Sequence, residues 1–288
     1  MLFILNKTYL METIIVRNNV RMEMERSRQM GLIQKIREEK PFIYNITNDV
    51  ASNFAANGLI AIGASPAMSH TPQEAQTYGE KADAVVLNLG TLTEDRGKAM
   101  LLAGKAANEK GTPVILDPLA VGGTTFRTNL IYKLLEKVKI SIIRANAGEI
   151  AVLGGTLNKA KGPDSVIEEN DPTIAQDVAK KYNTIVISTG ETDVITDGEQ
   201  TTLCRNGHDM LQHITASGCL LSSFVAPFAA VHKDSYKAAI DATVSYGVGA
   251  ERAIKHAKGP GTFIPAFLDE LYVLTDEKVD TYKKIKKI

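Results

Sequence analysis

The segment Thr215-Ala216-Ser217-Gly218-Cys219 has the residue types in this sequence that most clearly suggest chemistry. Its small residues lead directly into an apolar stretch typical of a helix. A helix N-terminus offers unpaired N–H groups and the positive end of the helix dipole, and small side chains let an anion approach the backbone. Cys219 would lie in the first turn, where the pKa of a thiol can be lowered toward neutrality. The structural alternative is that Ser217 caps the helix and Cys219 is a small buried side chain.

Asp117 directly follows the apolar run 113–116, and Pro118 holds it in an extended conformation. A carboxylate at the carboxyl end of a strand is well placed to bind a metal ion or to organise phosphates. Mg²⁺ is commonly held by one or two carboxylates together with several of its own waters. The structural alternative is a turn in which Asp117 serves as the capping residue.

Arg144 and Glu149 follow a second apolar run, at 140–143. A cation at the end of a buried strand suggests an anionic ligand nearby. Glu149 could hold hydrated Mg²⁺, but it also stands three residues after Asn146, which is the spacing of a capping box. Thr189, after the run 184–187, repeats the pattern of a polar residue at a strand end.

Uncharged amides are concentrated at 45–57, where Asn48 is one of four asparagines, and the segment 63–68 follows with Pro66 and Met68. Amides can orient a small neutral heterocycle, and a methionine adapts to a flat apolar surface. Here Pro66 is interpreted as stiffening a loop. The alternative is that Asn48 caps the next helix and Met68 belongs to the core.

Short apolar runs alternate with helical patterns from Phe42 onward, which predicts βαβ units and a mainly parallel sheet. The predicted strands are 42–46, 84–89, 113–116, 140–143 and 184–187. The predicted helices are 94–110 and 129–138, and the C-terminal part from 218 to 275 is mostly helical. A hairpin at one edge of the sheet is expected from 193–196 and 201–204.

The composition favours a small-molecule ligand. The chain has 288 residues, with 33 Lys+Arg, 33 Asp+Glu and 44% hydrophobic residues, so it lacks the basic excess of a nucleic-acid binder. No apolar run reaches the roughly 18 residues that a membrane span requires. The only cysteines, Cys204 and Cys219, do not form a CxxC pair, which fits a reducing, cytoplasmic setting.

Two terminal segments fall outside the periodic pattern. Residues 1–27 are interpreted as an N-terminal extension, and 28–288 as a single domain. The lysine-rich end at 283–287 is expected to be a frayed, solvated tail, and 155–172 a surface excursion.

The sequence contains no GxxxxGK[ST], GxGxxG, HExxH or GxSxG motif. An α/β enzyme without these motifs must bind its ligand with other loops at the carboxyl ends of its strands.

Seven short motifs, taken in order, resemble the hydroxyethylthiazole kinase family of thiamine salvage. They are Tyr44-Asn45-Ile46-Thr47-Asn48, Gly63-Ala64-Ser65-Pro66-Ala67-Met68, Asn88-Leu89-Gly90-Thr91-Leu92, Leu116-Asp117-Pro118, Asn146-Ala147-Gly148-Glu149, Ser217-Gly218-Cys219 and Gly259-Pro260-Gly261-Thr262-Phe263. The match is colinear over about residues 30–275. It leaves out only the N-terminal extension and the lysine-rich end.

The resemblance implies a three-layer α/β/α sandwich of the ribokinase-like fold with a mainly parallel central sheet. It also implies ATP-dependent phosphorylation of 4-methyl-5-(2-hydroxyethyl)thiazole with Mg²⁺. Members of this family are homotrimers whose active sites lie at subunit interfaces, so a homotrimer is expected here. The rival activities on the same fold are a hydroxymethylpyrimidine kinase and an ATP-dependent dehydratase of hydrated nicotinamide nucleotides. A binding protein without turnover is the non-enzymatic rival.

The resemblance also implies roles for single residues. Those implied for the thiazole are Asn48, Met68, Gly90 and Ala216; for ATP, Arg144, Thr189, Ser217 and Gly218; and for Mg²⁺, Asp117 and Glu149. Cys219 stands where ribokinase-like kinases usually place an aspartate base, so it is expected beside the attacking hydroxyl. The family commonly has Thr-Gly-x-Gly-Cys, whereas Ala216 replaces the first glycine here, and Ala145 stands where glycine is frequent. If position 216 needs a positive φ, alanine carries a steric cost there.

Overall fold

The computed structural model describes residues 30–156 and 170–288. The predicted extension at 1–27 lies outside these residues, as does most of the predicted excursion at 155–172. Among the described residues, no helix is both long enough and apolar enough to cross a membrane.

One sheet of nine strands forms the centre of the described structure. The strands are β1 Phe42–Ile46, β2 Ser65–Met68, β3 Ala84–Asn88, β4 Val114–Asp117, β5 Ile142–Asn146, β6 Ile185–Thr189, β7 Asp193–Thr196, β8 Thr201–Cys204 and β9 Ile285–Lys287. Their spatial order is β2-β1-β3-β4-β5-β6-β7-β8-β9. The first six in this order are parallel, and β7, β8 and β9 pair antiparallel.

Helices cover both faces of the sheet. The helices on one face are α1 Leu32–Glu39, α2 Ser52–Ile62, α8 Ser217–Val231, α9 Ser235–Ala253, α10 Pro260–Tyr272 and α11 Asp276–Tyr282. Those on the other are α3 Pro72–Lys81, α4 Glu94–Lys110, α5 Thr125–Lys137, α6 Ala147–Gly154 and α7 Pro172–Tyr182. The predicted three-layer α/β/α sandwich is confirmed.

Alternate residues of the central strands belong to different cores, because side chains along a strand point to opposite faces. In β4, Ile115 packs against α8 and its neighbours, whereas Val114 and Leu116 pack on the opposite side. All three are fully buried. This double burial explains why the parallel strands are continuous apolar runs in the sequence.

The predicted elements are largely present. Strand β1, helix α4 and the hairpin of β7 and β8 have the predicted bounds. The predicted strand at 140–143 is shifted: β5 runs from Ile142 to Asn146 and so includes the polar Arg144.

Two predictions about the margins of the sheet were wrong. The segment around Pro66 is not a loop but the edge strand β2, where a proline is tolerated because an edge strand needs fewer backbone donors. The lysine-rich end is not a frayed tail, because Ile285–Lys287 pairs with β8 as strand β9. The β7–β8 hairpin therefore lies one strand inside the edge.

Candidate active site

Polar side chains from neighbouring strands meet at the carboxyl edge of the parallel strands. Asn88 ends β3, Asp117 ends β4 and Thr189 ends β6, while Asn48 stands two residues after β1. Because these strands are parallel and adjacent, their last residues are brought together at one edge. The N-terminus of α8 packs over the same edge and contributes Cys219.

Asn88 is the centre of a buried hydrogen-bonded cluster. Its Nδ2 donates to Asp117 Oδ2 over 2.7 Å and to Cys219 Sγ over 3.3 Å. Its Oδ1 accepts from Asn48 Nδ2 over 2.9 Å and from the Gly90 amide over 3.0 Å. Asn88 lies in one of the family motifs, but its role was not predicted. An amide at the end of an apolar strand gives no indication of which groups it will contact.

Asn48 and Gly90 are packed against each other in this cluster. Asn48 Nδ2 also donates to Cys219 Sγ over 3.2 Å, and its Oδ1 accepts from the Ala51 amide, so the side chain also serves the chain turn before α2. A Cβ on Gly90 would lie 2.5 Å from Asn48 Cβ, so this close approach requires glycine. Two of the four residues implied for the thiazole are therefore in direct contact.

Met68 belongs to neither of the two loops that carry that pair. It lies at the end of the edge strand β2, opposite Asn45 of β1, and packs against the core on the α8 side. It makes no hydrogen bond to the Asn88 cluster within the described part of the chain.

Asp117 is fully buried, and one of its two carboxylate oxygens lacks a hydrogen-bond partner in the described part of the chain. Its Oδ2 accepts from Asn88 and from Ser222 Oγ, the latter over 2.7 Å, whereas Oδ1 has no hydrogen-bond partner among the described residues. Burial raises the pKa of Asp117, and the nearby Arg144 guanidinium works against this rise. Ser222 was not predicted, since a hydroxyl one turn into an apolar helix is an ordinary feature of a sequence.

Of the two interpretations of Cys219, an acidified thiol and a small buried side chain, the structure supports the second. The side chain is buried on the first turn of α8, and burial together with the Asp117 carboxylate raises its pKa to about 11. The amide donors of Asn48 and Asn88 act in the opposite direction but do not compensate. Loss of solvent outweighs these donors and the nearby Arg144 guanidinium, so a pKa of about 11 leaves Cys219 a neutral thiol at physiological pH.

Ala216 is the N-cap residue directly before α8. It has φ 64° and ψ 11° and therefore lies in the left-handed region. The sequence expectation of a positive φ at this position is met, and alanine carries a cost of about 1 kcal/mol there. The structural alternative for Ser217 was wrong, because its hydroxyl donates to the Leu211 carbonyl over 2.7 Å rather than capping the helix. Of the side chains that the structure describes, none caps α8.

The Arg144 guanidinium lies between β5 and the first turn of α8. Its Nη2 donates to Thr189 Oγ1 over 2.7 Å, and its Nη1 is 4.0 Å from Asp117 Oδ2. A Cβ on Gly218 would lie 2.6 Å from Nη1, so Gly218 leaves the space that the guanidinium occupies. A cation is thereby held beside the positive end of a helix, an arrangement that attracts an anion.

The capping box considered for Asn146 and Glu149 is present. Asn146 Oδ1 accepts from the Glu149 amide, and Glu149 Oε2 accepts from the Asn146 amide. Glu149 Oε1 also accepts from the Ala120 amide in the loop after β4. Burial and the Asp117 carboxylate raise the pKa of Glu149 to about 7.

The two carboxylates fit a Mg²⁺ ion that keeps several waters and ligand oxygens. No group of three His, Cys, Asp or Glu side chains suited to a metal occurs in 30–156 and 170–288. Mg²⁺ does not need such a cage, because one or two carboxylates together with phosphates suffice. The observation that fits a cation is Asp117 Oδ1, which has no hydrogen-bond partner among the described residues.

Comparisons with known proteins agree with this geometry. The model of the Hydroxyethylthiazole kinase family matches residues 33–277. The chain is 70% identical to Hydroxyethylthiazole kinase 2 of Oceanobacillus iheyensis over 89% of this chain and 98% of that one. It is 44% identical to the hydroxyethylthiazole kinase of Thermoanaerobacter pseudethanolicus over 88% of this chain and 98% of the relative.

A solved structure gives the same result. The hydroxyethylthiazole kinase protein of Pyrococcus horikoshii OT3 superposes with a TM-score of 0.81 at 36% identity and covers 89% of this chain and 97% of that chain. The ribokinase-like fold expected from the sequence is confirmed. The family resemblance noted in the seven motifs therefore extends over sequence and structure alike, and the chain belongs to the hydroxyethylthiazole kinase family.

Proposed function

We propose that this kinase transfers the γ-phosphoryl group of ATP to the hydroxyl of 4-methyl-5-(2-hydroxyethyl)thiazole, which supplies the thiazole phosphate for thiamine salvage. The observation that carries the proposal is the placement of Arg144 against Gly218, beside the buried cluster of Asn88, Asp117 and Cys219. An anion site and a buried polar cluster thus meet at one helix start. Phosphoryl transfer needs this combination of alignment and charge stabilisation.

On the acceptor side, Cys219 orients the hydroxyl rather than deprotonating it. With a pKa raised to about 11, the thiol stays protonated and keeps its S–H while its sulfur accepts from Asn48 and Asn88. A strong base is not required, because little of the barrier to phosphoryl transfer lies in proton removal. Asn48, Gly90 and Ala216 line the position for the thiazole.

On the phosphate side, Arg144 and Thr189 bind the phosphate oxygens together with backbone amides at Ser217 and Gly218. The Arg144 guanidinium is only 12% exposed, so its charge acts in a poorly solvated setting where electrostatic attraction is stronger than in water. Its Nε is buried and has no hydrogen-bond partner in the described structure.

Asp117 and Glu149 would hold Mg²⁺ through direct or water-mediated contacts. The ion supplies charge neutralisation to the ATP phosphates when it is bound. The residues themselves fix the site, because Glu149 is held by the amides of Ala120 and Asn146, and Asp117 by Asn88 and Ser222.

The proposal includes a homotrimer with its sites at subunit interfaces, formed by a single domain over 28–288 in a cytoplasmic setting. Val50, two residues after Asn48, and Ile60, on α2, are 60% and 61% exposed, which supports burial by another subunit. The two free cysteines support a reducing setting.

The test is an assay of purified full-length protein with MgATP and three candidate substrates in parallel: hydroxyethylthiazole, hydroxymethylpyrimidine and hydrated NADH. We expect phosphorylated thiazole, identified by mass, and no turnover of the other two. The matched control is Arg144→Met, which retains the fold and loses the anion site. Binding of the thiazole without turnover would favour a sensor, and turnover of another substrate would reject the assignment.

A further inference from the structure

Arg96 stands out because it is a buried cation outside the set of residues assigned to the substrate. It lies in the first turn of α4 and is only 4% exposed. Both features are unfavourable, because the positive end of the helix dipole repels a cation and burial removes its solvent. A compensating set of contacts must therefore hold it there.

Those contacts go to the two loops that carry Asn48 and Gly90. Arg96 Nη1 donates to the Thr91 carbonyl over 2.7 Å and also to Thr91 Oγ1. Its Nη2 donates to Asp49 Oδ1, with which it forms an ion pair. The Asp49 amide in turn donates to Thr91 Oγ1 over 3.2 Å, so the two loops are tied to each other as well as to Arg96.

Thr91 has a second unfavourable feature. Its φ of 37° places a β-branched residue in the left-handed region, which such residues adopt rarely. Backbone strain of this kind persists where the surroundings impose it and is concentrated at functional sites. In this loop the strained residue directly follows Gly90, which contacts Asn48.

We propose that Arg96 is a positioning residue that sets the separation of the Asn48 and Gly90 loops and thereby the affinity for the alcohol substrate. The inference rests on the proposed function for the identity of that substrate. The described hydrogen bonds of the Arg96 guanidinium go to Asp49 and Thr91, and it acts through them. Its planar guanidinium serves both loops at once, which a lysine ammonium cannot reproduce.

The first test compares Arg96→Met with Arg252→Met. Arg252 is likewise a partly buried arginine in an ion pair, with Glu270, but it lies on α9 away from the two loops. We expect Arg96→Met to lower kcat/KM for the thiazole alcohol about 100-fold, while the KM for ATP changes by less than about twofold. Arg252→Met should leave both values unchanged. Equal effects on the two substrates, or on the two variants, would reject a positioning role.

The second test does not depend on turnover. Hydrogen exchange of the peptides covering 47–51 and 89–93 should be at least about 10-fold faster in Arg96→Met than in wild type, because local opening exposes the amides. Arg252→Met should leave it unchanged. Unchanged exchange in Arg96→Met would overturn the proposal, whereas a wild-type protein inactive on the thiazole would reject only the substrate assignment.

A pair of variants at Thr91 covers the case in which Arg96→Met does not fold. Thr91→Val removes the hydroxyl acceptor and retains the β-branch, whereas Thr91→Ser retains the acceptor. We expect Thr91→Val to show the same direction of change as Arg96→Met in exchange and in kcat/KM for the alcohol. Thr91→Ser should match wild type. Identical behaviour of the two Thr91 variants would contradict the proposal.

Discussion

Helices α6 and α8 both begin at the carboxyl edge of the parallel strands, yet their N-termini are completed in opposite ways. In α6 the side chains of Asn146 and Glu149 accept from backbone amides of the first turn in a full capping box. In α8 the chain enters through Ala216 in the left-handed region, and among the described residues no side chain caps the helix. At the α6 start, side chains accept hydrogen bonds from the backbone amides. At the α8 start, the first backbone amides beside Arg144 have no side-chain acceptor among the described residues.

This difference separates a structural helix start from one suited to an anion. A capping box consumes the donors that would attract a ligand, so α6 contributes through the Glu149 carboxylate rather than through its amides. An uncapped start with small residues and an adjacent guanidinium retains its donors. The α6 start thereby presents a carboxyl group held by amides, whereas the α8 start presents amides beside the Arg144 guanidinium of β5.

The largest effect is expected from removing the cation at the α8 start. Arg144→Met should lower kcat about a thousandfold, because a guanidinium that stabilises the transferred phosphoryl group contributes on that order. Arg144→Lys should recover part of the activity, since a lysine retains charge without the planar donor set. ADP release measures both variants. A kcat within a few-fold of wild type in Arg144→Met would place the anion site elsewhere.

The next effect concerns the first turn of α8 and its thiol. Because the pKa of Cys219 is raised to about 11, deprotonation and alkylation increase with pH up to that value. At pH 8 the labelling rate by iodoacetamide should be about 100-fold below that of an exposed cysteine and should rise about tenfold per pH unit. The measurement uses mass spectrometry on a Cys204→Ser background. Rapid labelling at pH 7 would instead support a Cys219 pKa that is lowered toward neutrality.

A smaller effect is expected at the α6 start. Asn146→Ala removes one half of the capping box and should lower the free energy of unfolding by about 1 kcal/mol. Urea denaturation measures the loss. Asp234→Ala at the start of α9, where the aspartate accepts from two amides, is the matched control and should cost a similar amount. An Asn146→Ala variant as stable as wild type would mean that the two helix starts do not differ energetically.

The smallest effect is expected at Ala216. Ala216→Gly removes the steric strain that the Cβ causes in the left-handed conformation. It also increases the conformational entropy of the unfolded chain, so we expect a gain of at most about 1 kcal/mol in the free energy of unfolding. Lys40→Gly, at a φ of 47° after α1, is the remote control with the same backbone demand. Both variants should be stabilised in thermal denaturation. A loss of stability in Ala216→Gly alone would show that the alanine methyl contributes packing at the α8 start.

The sequence predicted the fold well where pattern and burial coincide. The apolar strands 42–46 and 184–187, and the helix Glu94–Lys110, were located because burial of both sheet faces leaves a strong hydrophobic signal. The strand β2 was missed since Pro66 reads as a turn residue, and β9 since lysines read as a solvated tail. Edge strands carry little hydrophobic signal because they bury little.

The sequence predicted several residues of the candidate site but not the contacts between them. Asp117, Arg144 and Cys219 were recognised from strand-end positions and from the family motifs. The central place of Asn88, and the contact of Ser222 with Asp117, depend on register between strands far apart in the chain. The two alternatives for Cys219 could not be separated from the sequence, because helix position is visible in a sequence, whereas the degree of burial is not.

The two outermost strands of the sheet have a consequence for handling the protein. Strand β2 contains Pro66. Two of the three residues of strand β9 are lysines, and its Ile285 lies between Lys284 and Lys286. Both devices discourage a further chain from adding to the sheet by backbone pairing. The Ile288 amide also donates to the Thr201 carbonyl, which extends the pairing of this edge by one residue. Replacing Lys286 and Lys287 with uncharged, β-prone residues would undo that protection and promote aggregation, whereas arginines at both positions would preserve it.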